Sequence, residues 1–216
     1  ITDYGVWALA DGTGMPRLGT LNLQNNEVTA SGISALMRSR HRTALHTLNL
    51  QSNNISCDAW HVLTEPDLPV KLRCLEISFE DGDQKKFTRL LREAVTFGDL
   101  EKLAIRPPFS MEGKKDAVLS EALMANPHLA TVQDLEICDL KFSDKAVKVL
   151  VETDFSQLRR LDLNKTNINN ERLATFMKAS WLPGLKYLAL REYPKTPDYT
   201  ALKAMFADTA SVCVAY

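Results

Sequence analysis

The chain has 216 residues, 45% of them apolar and 25% charged, and 31 are leucine, about one residue in seven. That composition carries enough apolar side chain to bury a core and argues against general disorder. The formal net charge of −1 gives no reason to expect a polyanionic partner such as nucleic acid. No apolar run approaches the ~20 residues of a bilayer span, and no signal-peptide pattern opens the chain, so membrane insertion is not expected.

In chain order, Ile1-Thr-Asp-Tyr-Gly5-Val-Trp-Ala-Leu9 aligns with Val28-Thr-Ala-Ser-Gly32-Ile-Ser-Ala-Leu36 at an offset of 27, which predicts that the chain opens inside a repeating unit, just after a strand. Gly12-Thr-Gly14 follows as a helix C-terminal turn; it lacks the further glycine, lysine and hydroxyl of a phosphate loop. Leu18-Gly-Thr-Leu21-Asn-Leu23-Gln-Asn-Asn26-Glu-Val28 then recurs as Leu45-His-Thr-Leu48-Asn-Leu50-Gln-Ser-Asn53-Asn-Ile55. Weaker copies begin at Leu72, Leu100, Val132, Leu158 and Leu185. The central apolar residues stand at 21, 48, 75, 103, 135, 161 and 188, spaced by 27, 27, 28, 32, 26 and 27. Such a period marks a stack of units, each of which hides its apolar face only against a neighbour.

The alternation in each copy puts Leu21 and Leu23 on one face of a short strand, with Asn22 and Gln24 on the other. Between strands, helical spacing covers 31–39, 57–64, 84–97, 114–125, 143–153, 169–180 and 198–208. Leu90, Leu91 and Val95 form one inward stripe, and Val147, Leu150 and Val151 another. Ser143 and Asn169 occupy N-cap positions, and Pro127 stops the helix before it. At the far end Ser211-Val-Cys-Val-Ala-Tyr216 reads as an apolar strand that stops, so the chain is expected to be a piece of a longer array.

These residues resemble the leucine-rich repeat, L-x-x-L-x-L-x-x-N, in the long form of ribonuclease-inhibitor-like proteins, where N-x-I-x-x-x-G-x-x-x-L and a full helix follow the strand. Asn26-Glu-Val28-Thr-Ala-Ser-Gly32-Ile-Ser-Ala-Leu36 matches that form, and Asn53 to Leu63 matches it with Ala59 in place of the glycine. The resemblance covers the whole chain. It implies one α/β domain over 1–216: a right-handed curved leucine-rich-repeat solenoid of about seven repeats plus partial repeats at both ends, with parallel strands on the concave face and helices on the convex face. In that family the Asn at 26 and 53 closes the turn after the strand. Glu80, Pro108, Leu140, Thr166 and Tyr193 stand there in later copies; Thr can make such a bond, Pro and Leu cannot, so the middle turns are expected to be irregular.

Catalytic chemistry finds little support. His41, His46, His61 and His128 form no H-x-x-x-H pair, the cysteines form no C-x-x-C, and no G-x-S-x-G or Cys/His spacing suggests a nucleophile, so no metal, cofactor or enzymatic role is expected. Cys57, Cys74, Cys138 and Cys213 lack the spacing of a disulfide framework. Cys74 and Cys138 should lie on outward strand positions two strands, roughly 10 Å, apart, beyond the about 7 Å between Cα atoms that a disulfide tolerates. Free thiols point to a reducing, cytoplasmic setting.

Three polar columns should line the concave face: Thr20, Thr47, Cys74, Lys102, Asp134, Arg160, Tyr187; Asn22, Asn49, Glu76, Ala104, Glu136, Asp162, Ala189; and Gln24, Gln51, Ser78, Arg106, Cys138, Asn164, Arg191. Lys102, Asp134 and Arg160 would neutralise one another along the first column. The segment 106–115, with two prolines, should loop out beside the strand edge with Phe109 and Met111 at its tip. The expected function is a non-catalytic protein-interaction module. Its partner-binding residues are Asn49, Gln51, Glu76, Ser78, Phe79, Lys102, Arg106, Phe109, Asp134, Glu136, Arg160, Asp162, Tyr187, Arg191 and Tyr193, with Tyr187, Phe79, Tyr193, Arg106 and Arg191 as anchors. The alternative is a scaffold or substrate-positioning part of an enzymatic assembly, of ubiquitin-ligase or GTPase-activating type, with catalysis elsewhere.

Overall fold

The computed structural model describes residues 1–53, 55–78, 84–106, 113–191 and 197–206. Strands and helices alternate throughout: α1 (Asp3–Asp11), β1 (Thr20–Asn22), α2 (Ala30–Met37), β2 (Thr47–Leu50), α3 (Cys57–Leu63), β3 (Cys74–Ser78), α4 (Gln84–Glu93), β4 (Lys102–Arg106), α5 (Gly113–Met124), β5 (Asp134–Ile137), α6 (Asp144–Glu152), β6 (Arg160–Asp162), α7 (Asn170–Phe176), β7 (Tyr187–Ala189) and α8 (Thr200–Met205). The strands form a single seven-stranded sheet in sequential order, and every pairing is parallel.

Register follows the period of the sequence. Thr20, Thr47, Cys74, Lys102, Asp134, Arg160 and Tyr187 are successive partners, and so are Leu21, Leu48, Leu75, Leu103, Leu135, Leu161 and Leu188. At each step one carbonyl accepts two N–H groups from the next strand. Gly19 O takes His46 N and Thr47 N, both at 3.0 Å; His46 O takes Arg73 N and Cys74 N at 2.8 and 2.9 Å; Arg159 O takes Lys186 N and Tyr187 N at 2.7 and 3.1 Å. The apolar rows make the core: Leu23, Leu50, Ile77, Ile105, Ile137, Leu163 and Leu190 have no exposed surface. Leu21, on the edge strand, is only partly covered.

The turns after the strands share one bend. Asn25, Ser52, Asp139 and Lys165 each lie two residues past a core Leu or Ile and have φ between 55° and 62°, the left-handed region. Asn53 closes its turn as expected. Its buried side-chain amide donates to Leu23 O (2.7 Å), Leu50 O (3.1 Å) and Gln51 O (3.3 Å), while Oδ1 accepts from Val28 N (2.9 Å). Half-buried Asn26 donates to Leu23 O and Gln24 O, both at 3.0 Å, and Thr166 Oγ1 donates to Leu163 O at 2.6 Å. The turn at Leu140 keeps the common bend, contrary to the irregularity expected there. Leu140 is fully buried, and the turn is closed by Asp139 N on Asn164 O (3.0 Å) and Phe142 N on Thr166 O (2.9 Å). Glu80, Pro108 and Tyr193 lie outside the described residues.

Helices sit near their expected places with shorter bounds. Ser143 Oγ accepts from Ala146 N and Asn169 Oδ1 from Arg172 N, so both caps form. Pro127 follows α5 and opens a short 3-10 turn, Pro127–Thr131. The helix expected over 84–97 instead ends at Glu93, and a 3-10 turn, Val95–Asp99, replaces its last turn. That turn rotates Val95 outward to 48% exposure and hands the core position to Phe97, which packs edge-on against Trp60.

Side chains also tie several helices to their neighbours. At the N-terminal end Asp3 accepts from Thr29 N (2.8 Å) and Thr29 Oγ1 (2.6 Å), and Arg172 pairs with Asp144 (2.6 Å), while the α6 cap Ser143 donates through Oγ to Glu121 in the last third of α5 (2.6 Å). The first of these needs Gly32, because a Cβ there would stand 2.5 Å from Asp3 Oδ1. At the C-terminal end buried Arg42 donates to Gly12 O (2.6 Å) and Met15 O (3.3 Å), and buried Asn126 to Leu91 O (2.9 Å) and Ala94 O (3.1 Å). These bonds satisfy helix-end carbonyls that have no partner within their own helix.

Asn53→Leu removes the side-chain partner of Leu50 O and of Val28 N, and one of two donors from Leu23 O and from Gln51 O, in a buried turn, and is expected to destabilise by about 2–4 kcal/mol. Asn26→Leu, at a wetter position, is expected to cost about 1 kcal/mol or less. Denaturant midpoints of the two variants side by side check this; equal losses would remove the buried turn amide as a determinant of the fold.

Candidate functional site: the polar face of the sheet

Because strand side chains alternate, the sheet turns one row of leucines to the helices and a polar row to the other side. The middle residues of that row first organise their own backbone. Asn22 Oδ1 accepts from Gln24 N (2.9 Å), Asn49 Oδ1 from Gln51 N (2.9 Å) and Asp162 Oδ1 from Asn164 N (3.1 Å). Each is the local side-chain turn that short Asn and Asp side chains favour.

The same face carries a continuous chain of side-chain contacts across six strands. Asn49 Nδ2 on β2 donates to Glu76 Oε2 on β3 at 3.0 Å. Glu76 Oε1 lies 2.7 Å from Lys102 Nζ on β4, which also lies 3.4 Å from Glu136 Oε1 on β5. Arg160 Nε on β6 is 3.6 Å from the same Glu136 oxygen and 3.4 Å from Asp134 Oδ1, and its guanidinium carbon sits 3.7 Å from the centre of the Tyr187 ring on β7. Of the expected site residues, Asn49, Glu76, Lys102, Asp134, Glu136, Arg160 and Tyr187 are thus brought together. Lys102 does not pair mainly along its own column: its long stem reaches diagonally to Glu76 and Glu136 in the second.

Other expected residues fare differently. Half-buried Ser78 accepts from Ser52 N at 2.7 Å and is in register with Arg106, which is exposed at the C-terminal end of β4. Arg191 is exposed just past β7, and its carbonyl accepts from Lys165 N at 2.6 Å. Gln51 and Asp162, expected to be presented to a partner, are instead 6% and 8% exposed. Cys138, expected to face outward, is buried and donates to Asp162 Oδ1 at 3.4 Å. Phe79, Phe109 and Tyr193 lie outside the described residues, as does the loop tip that contains Met111.

Electrostatics on this face are set by crowding. Burial pulls the Lys102 ammonium toward neutrality, but the Glu76 hydrogen bond and the charges of Glu136, Glu76 and Asp134 outweigh it and raise its pKa. Burial, and then the charge of Glu136, push the Asp134 carboxyl up to about 6 against the pull of Lys102 and Arg160. Its Oδ1 is buried and accepts no hydrogen bond among the described residues, so the ion-pair distance to Arg160 brings little relief. Burial and the Asp162 carboxylate raise the Cys138 thiol to about 12, which keeps it protonated at neutral pH and unsuited to nucleophilic attack.

Among the described residues no helix is long and apolar enough to cross a membrane, and no group of His, Cys, Asp and Glu is placed to hold a metal ion. Among the described residues, Cys57, Cys74 and Cys138 take part in no disulfide. Neither the protein-family models nor the curated protein sequences compared with this chain match it.

Asp134 binds its proton more tightly folded than unfolded, so it opposes folding once ionised. That penalty is absent below pH ~4, grows as pH rises through 4–6 and is complete above 6. Asp134→Asn is therefore expected to raise stability by about 1–3 kcal/mol at pH 7.5 and by little at pH 4. Thermal melts of both proteins across that range check it; a gain independent of pH would contradict the assignment.

Proposed function

We propose that the chain is a curved leucine-rich-repeat solenoid, with its polar sheet face concave, that binds a protein partner on that face and carries out no chemistry itself. The sequential strand order supports the solenoid. A doubly wound sheet reverses its order at a switch point, whereas β1 to β7 follow one another without reversal. The offsets of 26 to 32 residues between paired strands, and the Asn-closed turns at 26 and 53, support the repeat type.

The observation that carries the binding role is the contact chain from Asn49 to Tyr187. It holds its side chains in place before any partner arrives, so docking loses little conformational freedom. Lys102 and Arg160 are engaged with carboxylates within it, which leaves the outer groups to meet the partner. Those are the ring of Tyr187, stacked on Arg160, and the exposed Arg106 at the end of β4. Aromatic and Arg side chains are the residue types that dominate binding energy at interfaces.

The double variant Arg106→Ala/Tyr187→Ala removes both groups without touching the apolar rows. It is expected to keep the melting temperature within a few degrees and to weaken capture of protein partners by the intact chain at least ~10-fold. Affinity capture read by quantitative mass spectrometry checks both; an unchanged partner profile would remove this face as the binding site.

A further inference from the structure

The helix side of the molecule carries a separate charged surface. Lys85, Thr88, Arg89 and Arg92 of α4 follow one another at i, i+3, i+4 and i+7, the spacing of a single helix face. With Glu93 and with Val118 of α5 they line an open groove of about 360 Å³. α4 holds four cations against one carboxylate in ten residues, in a chain whose formal net charge is −1. The helix thus concentrates positive charge that the rest of the chain does not share.

Among the described residues, Arg89 and Arg92 of this stripe are neutralised only in part. Lys86 points to the opposite side of α4 and pairs with Asp58 of α3. In the groove itself Glu93 Oε2 lies 3.0 Å from Arg89 Nε. Glu121, the carboxylate of α5 whose charge senses Arg92, is already held by Ser143 Oγ at 2.6 Å and Lys145 Nζ at 3.1 Å. Arg92 forms no ion pair among the described residues. Val118 places a 44% exposed apolar side chain in the same groove.

We propose that the α4–α5 groove is a second docking site, for an acidic segment of a protein partner that lays carboxylates along Arg89 and Arg92 and an apolar side chain on Val118. Charge complementarity selects an acidic occupant, and the dimensions select a peptide. Lys85 to Arg92 spans about 10 Å of helix, room for only two or three phosphates, whereas nucleic-acid binders of useful affinity neutralise about six to ten. This site stands apart from the polar sheet face and does not depend on that reading.

The test uses the full chain and a fluorescein-labelled synthetic helix of about twelve residues, with four Glu at i, i+3, i+4 and i+7 and one Leu, in about 0.1 M salt so that bulk charge is screened beyond ~10 Å. Fluorescence anisotropy is expected to show saturable binding. Arg89→Gln/Arg92→Gln is expected to weaken it at least ~10-fold and Val118→Glu by a similar factor, with unchanged circular dichroism. Arg106→Ala/Tyr187→Ala, on the other face, should leave it unaltered. No saturable binding by the parent chain would overturn the proposal, as would equal binding by both groove variants. So would tighter binding, through the same arginines, of a twelve-nucleotide oligo-dT or of phosphatidylserine vesicles.

Discussion

A parallel strand of three to five residues has too few hydrogen bonds to persist alone, so each strand in this chain exists only because the next arrives at the same height. The doubly accepting carbonyl sets that height. Gly19, His46, Arg73, Glu101, Gln133 and Arg159 each use one oxygen to receive two consecutive N–H groups of the following strand. A slip of one residue would break both bonds and also turn the leucine row toward the polar side. Register, core and polar face are therefore one constraint seen three ways. The 32-residue step from Leu103 to Leu135 shows its force: the pairing of β4 with β5 is as regular as the others despite the added length, part of which goes into α5, the longest helix.

Stacked units also need their helices to keep step, and here polar side chains do what apolar contact cannot. A leucine stripe is tolerant of sliding, because dispersion and burial have little direction. Asp3 on Thr29 and Asp144 on Arg172 fix the N-terminal ends of neighbouring helices, and Glu121 holds the α6 cap Ser143 against the last third of α5, while Arg42 and Asn126 donate to carbonyls at the C-terminal side of the preceding helices. Arg42 is the extreme case, a 1% exposed guanidinium held by backbone oxygens alone. Its charge is tolerated because it sits where the carbonyl end of α1 concentrates partial negative charge.

The polar face obeys a different logic. Its charges alternate across the strands, Glu76, Lys102, Glu136, Arg160, so that Lys102 lies between carboxylates of β3 and β5, and Arg160 between the two carboxylates of β5 and the Tyr187 ring. Such pairs contribute little net stability at this level of exposure. Their effect is to fix long side chains that would otherwise be free to rotate. Asp134 is the strained member: burial first, and then the charge of Glu136, raise its pKa despite the ion-pair distance to Arg160.

How much of this could be read from residues alone depended on whether the cause was periodic or local to one place in space. The strand order, the register columns and the caps at Ser143 and Asn169 were legible, because burial at a fixed period writes itself into the spacing of Leu, Ile and Asn. Val95 was not: its sequence spacing suits an inward stripe, and only the 3-10 turn that seats Phe97 beside Trp60 moves it out. The burial of Gln51 and Asp162 was equally hidden, since columns state which face a residue occupies but not how deeply its neighbours cover it. The diagonal reach of Lys102 follows from stem length and from two acids flanking one cation, quantities that a column drawn along the strands does not contain. Nothing in the repeat pattern singles out the cationic stripe of α4, and its meaning turns on which carboxylates stand near enough to answer it. Only the fold can say that Asp58 answers Lys86 while Glu121 is already engaged elsewhere.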